Sequence, residues 1–314
     1  MKKLLILPFL FACIFAVQAQ RSYTLTSPNG HLATAITAGE TLTYDIVRDG
    51  KTLMMPSPIS LILSDGRKWG PAAHIQKALR ATVDETVSAP FYRASEIRDR
   101  YNALTLRMRG GWSVEFRVYD DGVAYRFATT SKEPFEIMNE QAEYRFSEER
   151  PVTVPYVRDH AGNIDLQWRN SFENTYTETT LSRLDAGRLI FLPAIVHVAD
   201  GVNICFTETD LNDYPGMYLW NGDGGQHLTA RFAPYPKRVE QGGYNNLQMI
   251  VEEREPFIAR IGKARSFPWR VAIVGTDTQI AASDLSFLLA APSKLADTSW
   301  IKPGKVAWDW WNAW

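Results

Sequence analysis

The chain has 314 residues, 45% hydrophobic and 22% charged, a globular composition that excludes a disordered tail, a collagen-like repeat or a coiled coil as its main content. That length suits about two average domains or one large all-β sandwich. Basic and acidic residues number 34 and 35, for a net charge of −1, so nothing favours phosphate neutralisation and nucleic acid is not an expected partner.

Met1-Lys2-Lys3 is a short positive segment, followed by an apolar run over residues 4–17 broken only by Pro8, then Val17-Gln18-Ala19. This pattern reads as a secretory signal peptide over residues 1–19, cut after Ala19, with the mature chain periplasmic or secreted. A lipoprotein reading of Leu10-Phe11-Ala12-Cys13 is weaker, because Phe11 is large and the next residues stay apolar. No later stretch approaches the about 20 apolar residues of a span, so no membrane contact is expected after cleavage. Cleavage leaves Cys205 as the single cysteine. It cannot form an internal disulfide, and its strand-like setting reads as a buried, inert thiol.

Period-2 alternation recurs along the mature chain and long helical periodicity does not. Strands are expected at 23–26, 32–37, 41–47 and 59–63, separated by Ser27-Pro28-Asn29-Gly30, Arg48-Asp49-Gly50 and Ser64-Asp65-Gly66. Asp-Gly between such runs is a hairpin cue. The next expected strands are 103–108, 112–119 and 123–127, parted by Arg109-Gly110-Gly111 and Asp120-Asp121-Gly122. Further strands follow at 189–191, 202–207, 228–232 and 269–274. An amphipathic helix is expected over 278–289 and a single turn over 207–211. Short strands with turn signals about every ten residues indicate a sandwich or barrel.

These features give one large all-β domain over residues 20–289, a linker over 290–299, and a different segment over 300–314. Four tryptophans fall in the last seven positions, which is unlike the usual polar, mobile terminus. Residues 305–310 read as a buried strand that begins a second unit.

Familiar nucleophile and nucleotide motifs are missing, and His31, His74, His160, His197 and His227 lack the paired spacing of a zinc site. Aromatics make up 12% of the chain. Most are accounted for by a large core, but the clusters at 168–176 and 308–314 mix rings with Asn, Glu or Asp, as sugar sites do. The segment Trp168-Arg169-Asn170-Ser171-Phe172-Glu173-Asn174-Thr175-Tyr176-Thr177-Glu178 reads as an oxygen-rich loop. Glu173, Asn174 and Glu178 could supply some calcium ligands but not the six to eight of a full cage. Composition alone favours a solvated loop there.

Six segments in order carry a resemblance over nearly the whole mature chain. They are Leu25-Thr26-Ser27-Pro28-Asn29-Gly30, the stretch 117–126 around Tyr119-Asp120-Asp121-Gly122, Ser171-Phe172-Glu173-Asn174-Thr175-Tyr176-Thr177, residues 207–217, Phe267-Pro268-Trp269-Arg270, and 300–312. The chain resembles the N-terminal region of glycoside hydrolase family 97, exported α-glucosidases and α-galactosidases. The resemblance implies a galactose-mutarotase-like super-sandwich of antiparallel strands, followed by only the first strand of a truncated (β/α)8 catalytic barrel over 300–314. It implies an active-site calcium ion with one ligand from the sandwich, Glu173, placed by its Glu-x-x-Tyr-Thr context. It also implies that Trp310 and Trp311 edge the sugar pocket. The wording Trp308-Asp309-Trp310-Trp311-Asn312 is nearer the α-galactosidase-like members.

Hydrolysis of a glycoside needs an acid and a second carboxylate on opposite sides of the anomeric carbon. In the resembled family these lie on the barrel, so the chain is expected to be inactive alone. Its expected partners are its own barrel and, through it, an α-linked oligosaccharide or galactoside. The alternative is a stand-alone exported carbohydrate-binding sandwich. An epimerase-like use of a His and Glu pair ranks below both.

Overall fold

The computed structural model describes residues 20–307. Two large antiparallel sheets face each other. The first has nine strands. Its path runs Arg21–Thr26, Leu32–Ala38, Leu42–Arg48, Lys51–Leu63, Phe135–Arg145, His227–Phe232 and Met217–Trp220, with Lys68–Trp69 and Ala259–Ile261 alongside. The second has ten. It runs Tyr176–Thr180, Pro151–Pro155, Ala194–Ala199, Val202–Thr209, Trp269–Gly275, Gly122–Thr129, Trp112–Tyr119, Glu96–Met108 and Ile75–Ser88, with Arg265–Ser266 at its side. Pro236–Gly242 and Gln248–Arg254 form a separate two-stranded hairpin.

Alternation builds the core. Along Leu32–Ala38 every second residue is buried, and Trp112–Tyr119 repeats the pattern, as expected of strands with one face on a core. Rings from the two sheets meet between them. Tyr44 lies 5.7 Å from Phe116 and 5.2 Å from Tyr125, and Tyr144 lies 4.1 Å from Phe206, centroid to centroid. Trp269–Gly275 is buried at every position because both of its faces are covered. Ala272 and Val274 join the inter-sheet core, while Trp269, Val271 and Ile273 pack outward with Leu285 and Leu289. Gly122 permits this cover: a Cβ there would stand 2.5 Å from Leu285 Cδ1 and 2.7 Å from the Ala272 carbonyl oxygen.

The covering segment is two helices, Asp277–Ala282 and Leu285–Leu288, and not the single expected one. Thr276 and Gln279 form a capping box at its start. Ser283 then leaves helical geometry, and its hydroxyl donates to Asp121 Oδ2 at 2.7 Å. The turn expected over 207–211 is also corrected. The strand runs on through Thr209, paired with Trp269, and the chain bends at Asp210, whose φ is 60°. Only Ile190 of the strand expected at 189–191 makes β-bridges, to Tyr156 and Leu219. Residues 301–307 carry no regular secondary structure, and Val306 is exposed, so the described part of the strand expected over 305–310 is neither strand nor buried. The rest of that strand, and the signal segment, lie outside the described residues.

Candidate functional site

Glu173 sits on a loop that ends where Tyr176–Thr180 begins. The loop hangs from a short helix, Ile164–Gln167, whose N-cap Asn163 side chain accepts from the Leu166 N–H. Gln167 is fully buried and anchors it. Its Nε2 donates to the carbonyls of His160 (3.0 Å) and Gly187 (2.8 Å), and its Oε1 accepts from the Leu189 N–H at 2.7 Å. Nearby, Ile190 exchanges backbone bonds with Leu219 of the first sheet, and the Phe191 N–H donates to the Pro155 carbonyl at the end of a strand of the second. The loop is thus tied to a junction of both sheets.

The residues flanking Glu173 are fixed individually. Asn170 donates through Nδ2 to Tyr218 Oη at 2.9 Å, and its Oδ1 accepts from the Phe172 N–H at 2.8 Å. Phe172 takes a φ of 55°, a left-handed conformation that a bulky side chain rarely adopts. Its ring stacks on Tyr218 at 5.9 Å and meets Phe191 edge-on at 5.8 Å. Asn174 donates to the Tyr156 carbonyl at 2.9 Å and accepts from the Thr175 N–H. Such local strain persists only where neighbours over-determine it, and it concentrates at functional positions.

Between these two pinned residues the Glu173 carboxylate stands exposed, with no hydrogen bond or ion pair among the described residues. Its charge reaches Arg158, whose pKa is raised first by Asp159 and further by Glu173. Burial raises the Tyr218 pKa, opposed by the bond from Asn170, so the platform under Phe172 stays neutral.

The other loop oxygens are differently placed. The Asn174 amide is spent on holding the loop, and Glu178 lies within Tyr176–Thr180, opposite Thr153. No group of three or more His, Cys, Asp or Glu side chains able to hold a metal occurs among the described residues. A single exposed carboxylate on a fixed backbone fits a calcium ion as one hard oxygen ligand, not as a complete site. Nor can it act alone as both acid and nucleophile. Trp310 and Trp311 lie outside the described residues.

The histidines remain apart. His31 pairs with Asp49 at 2.6 Å, His197 bridges Thr153 and Asn203, and His227 faces Asp223. Tyr218, Gln167 and Phe191 support the site without any mark in sequence spacing, because they reach it through the fold. Four of the other quoted segments hold the fold together. The Asn29 N–H donates to Asp120 at 2.9 Å, joining the first two. Arg270, Glu208 and Tyr214 join two more inside the core.

The family model for the glycosyl-hydrolase 97 N-terminal region matches residues 25–292. A retaining alpha-galactosidase of Bacteroides thetaiotaomicron is 51% identical over 316 aligned residues, covering 100% of this chain and 48% of the relative. A probable retaining alpha-galactosidase of Streptomyces bingchenggensis is 25% identical, covering 91% of this chain and 40% of that protein. The chain therefore spans half or less of the curated relatives it matches. A glycoside hydrolase family 97 enzyme from Pseudoalteromonas sp. strain K8, solved with acarbose, superposes with a TM-score of 0.71 at 23% identity over 90% of this chain and 40% of that one. A beta-arabinopyranosidase superposes at 0.65 and 20% identity over 81% of this chain and 40% of that chain. Both show the likeness of fold.

Proposed function

Since the chain belongs to glycoside hydrolase family 97, of which it is the N-terminal domain, we propose that it serves a calcium-dependent, exo-acting retaining α-galactosidase as its non-catalytic sandwich. In this reading the domain walls the active site and contributes Glu173 as one calcium ligand. The catalytic acids, the remaining ligands and the galactoside pocket, edged by Trp310 and Trp311, belong to a barrel that follows. Calcium, when bound, would polarise and orient the sugar as a Lewis acid. The work of this chain's own residues is to hold one carboxylate in place, through Gln167, Asn170, Asn174 and the Phe172–Tyr218 stack. Export by a signal peptide over residues 1–19 to the periplasm or beyond completes the proposal.

One observation carries it: 51% identity along the whole chain to a retaining alpha-galactosidase. Galactoside is thereby favoured over glucoside. The test joins this chain to the catalytic portion of the Bacteroides thetaiotaomicron relative and follows an aryl α-galactoside with and without calcium. The chimera is expected to be active, the unjoined chain inactive, and Glu173→Gln to raise the calcium needed for half-maximal rate by about tenfold or more. Equal calcium response in the Gln variant would remove Glu173 from the ligand set. A calcium-independent sugar affinity of the chain alone would instead favour a binding module.

A further inference from the structure

Outside the Glu173 face, a cavity of about 550 Å³ opens between the turn joining Ile75–Ser88 to Glu96–Met108 and the segment 287–301. Its walls are mainly apolar and include Phe91, Tyr92, Phe287 and Leu295. Tyr92 and Phe287 stack at 4.4 Å with 21° between their planes. Two carboxylates share this lining, Glu85 and Asp99. They are direct partners across the strand pair, an arrangement that like charges destabilise.

Among the described residues no cation forms an ion pair with either carboxylate, although the Arg117 charge reaches Asp99. Arg98 is engaged with Asp84 through two bonds of 2.7 Å, and Arg100 faces Asp120. Arg93 is spent on Asp284 and the carbonyls of Ala281 and Ala282. Arg117 bonds Glu115 and lies over the Tyr101 and Trp269 rings. Asp99 is only 5% exposed, and its Oδ1 is buried without a hydrogen-bond partner. Burial raises the Asp99 pKa, the Tyr119 hydroxyl and Arg117 oppose the rise, and Glu85 adds to it, while the Tyr119 hydroxyl is itself buried without a hydrogen-bond partner. A buried acceptor left unmade is costly and calls for an explanation.

We propose that this cavity binds a small organic ammonium ion with an aromatic or alkyl body. Its N–H groups bond Asp99 and its charge offsets Asp99 and Glu85. Its body lies against Phe91, Tyr92 and Phe287, whose ring faces also attract a cation. The volume lies in the usual range for small-molecule sites.

Titration calorimetry of the purified chain with phenethylammonium chloride tests this, with 2-phenylethanol and galactose as neutral comparisons. The ammonium is expected to bind with a dissociation constant of about 1 mM or tighter, and 2-phenylethanol about tenfold more weakly or worse. Asp99→Asn and Glu85→Gln should each weaken the ammonium by about fivefold or more. Equal binding of the alcohol, preferential binding of galactose, or no heat from the ammonium up to about 20 mM would overturn the proposal. If Asp99→Asn does not fold, Glu85→Gln and Phe91→Ala, both at exposed positions, decide it. Unchanged affinity in both would overturn the site.

Discussion

Arg270 and Glu140 meet from opposite sheets inside the sandwich, Nε to Oε1 at 2.8 Å and Nη2 to Oε2 at 2.7 Å. Glu208 takes the remaining Nη1, and Tyr214 donates to Glu140 Oε2 at 2.9 Å. Burial alone would favour a neutral Arg270, but Glu140 and Glu208 outweigh it and hold the guanidinium charged. Arg270→Met would strand two buried carboxylates, at an expected cost of about 3–5 kcal/mol. The double variant Arg270→Met with Glu140→Leu should lose less than the sum of the two single changes. Urea unfolding followed by far-ultraviolet circular dichroism measures both. A wild-type midpoint for Arg270→Met would show that the cluster contributes nothing to stability.

That cluster marks where the sequence stops being legible. Glu140, Glu208, Tyr214 and Arg270 converge only through sheet packing, so no local spacing announces them. Strands with one buried face, such as Trp112–Tyr119, read directly from alternation. Ile75–Ser88 does not, since it ends the second sheet and buries none of its residues fully. It shows only a recurrence every four positions that signals neither strand nor helix. The helix expected over 278–289 is cut by Ser283, whose bond to Asp121 spans 162 residues of sequence. Glu173 is marked in the sequence by family resemblance alone. The strained Phe172 and its stack on Tyr218, which give that position its rigidity, belong to tertiary structure.

Cys205 offers a check on the core. Its thiol is buried, and burial alone pushes its pKa up to about 11. Thiolate is the reactive form, so Cys205 should resist a disulfide reagent at pH 8 in the folded chain and react fully once guanidinium unfolds it. Rapid labelling without denaturant would place Cys205 outside the packed layer beneath the two C-terminal helices.

Asp121 gives a pH dependence with a definite sign. Burial raises its pKa, the Ser283 hydroxyl opposes the rise, and Asp120 and Asp284 add to it. A carboxyl whose folded pKa exceeds its unfolded value costs nothing below the unfolded value. Its cost grows as pH climbs from there through the folded value. Asp121→Asn keeps an acceptor for Ser283 and removes the charge. It should therefore be more stable than wild type at pH 7, by at most about 1 kcal/mol. The advantage should fade as pH falls towards the ordinary carboxylate range. Thermal melts at pH 7 and pH 4 read the difference, and an advantage that grew on acidification would contradict the assignment.

The hairpin formed by Pro236–Gly242 and Gln248–Arg254 pairs with neither large sheet. Near its turn it exposes Tyr244 (79%), Leu247 (81%) and Met249 (67%). Arg169, four positions before Glu173, bonds Gln248 and ties this apolar tip to the face that carries the candidate ligand. Phe172 and Tyr176 are exposed as well. Large exposed apolar residues grouped at such a tip mark a contact for another domain or a site of self-association. The isolated chain is therefore expected to associate at micromolar concentration, and Leu247→Lys with Met249→Lys to shift it towards monomer without lowering its melting temperature. Light scattering decides between sources. Association that persists in the double variant would move the contact to the terminal tryptophans at 308–314, whereas a monomeric wild-type chain would show that neither surface drives it.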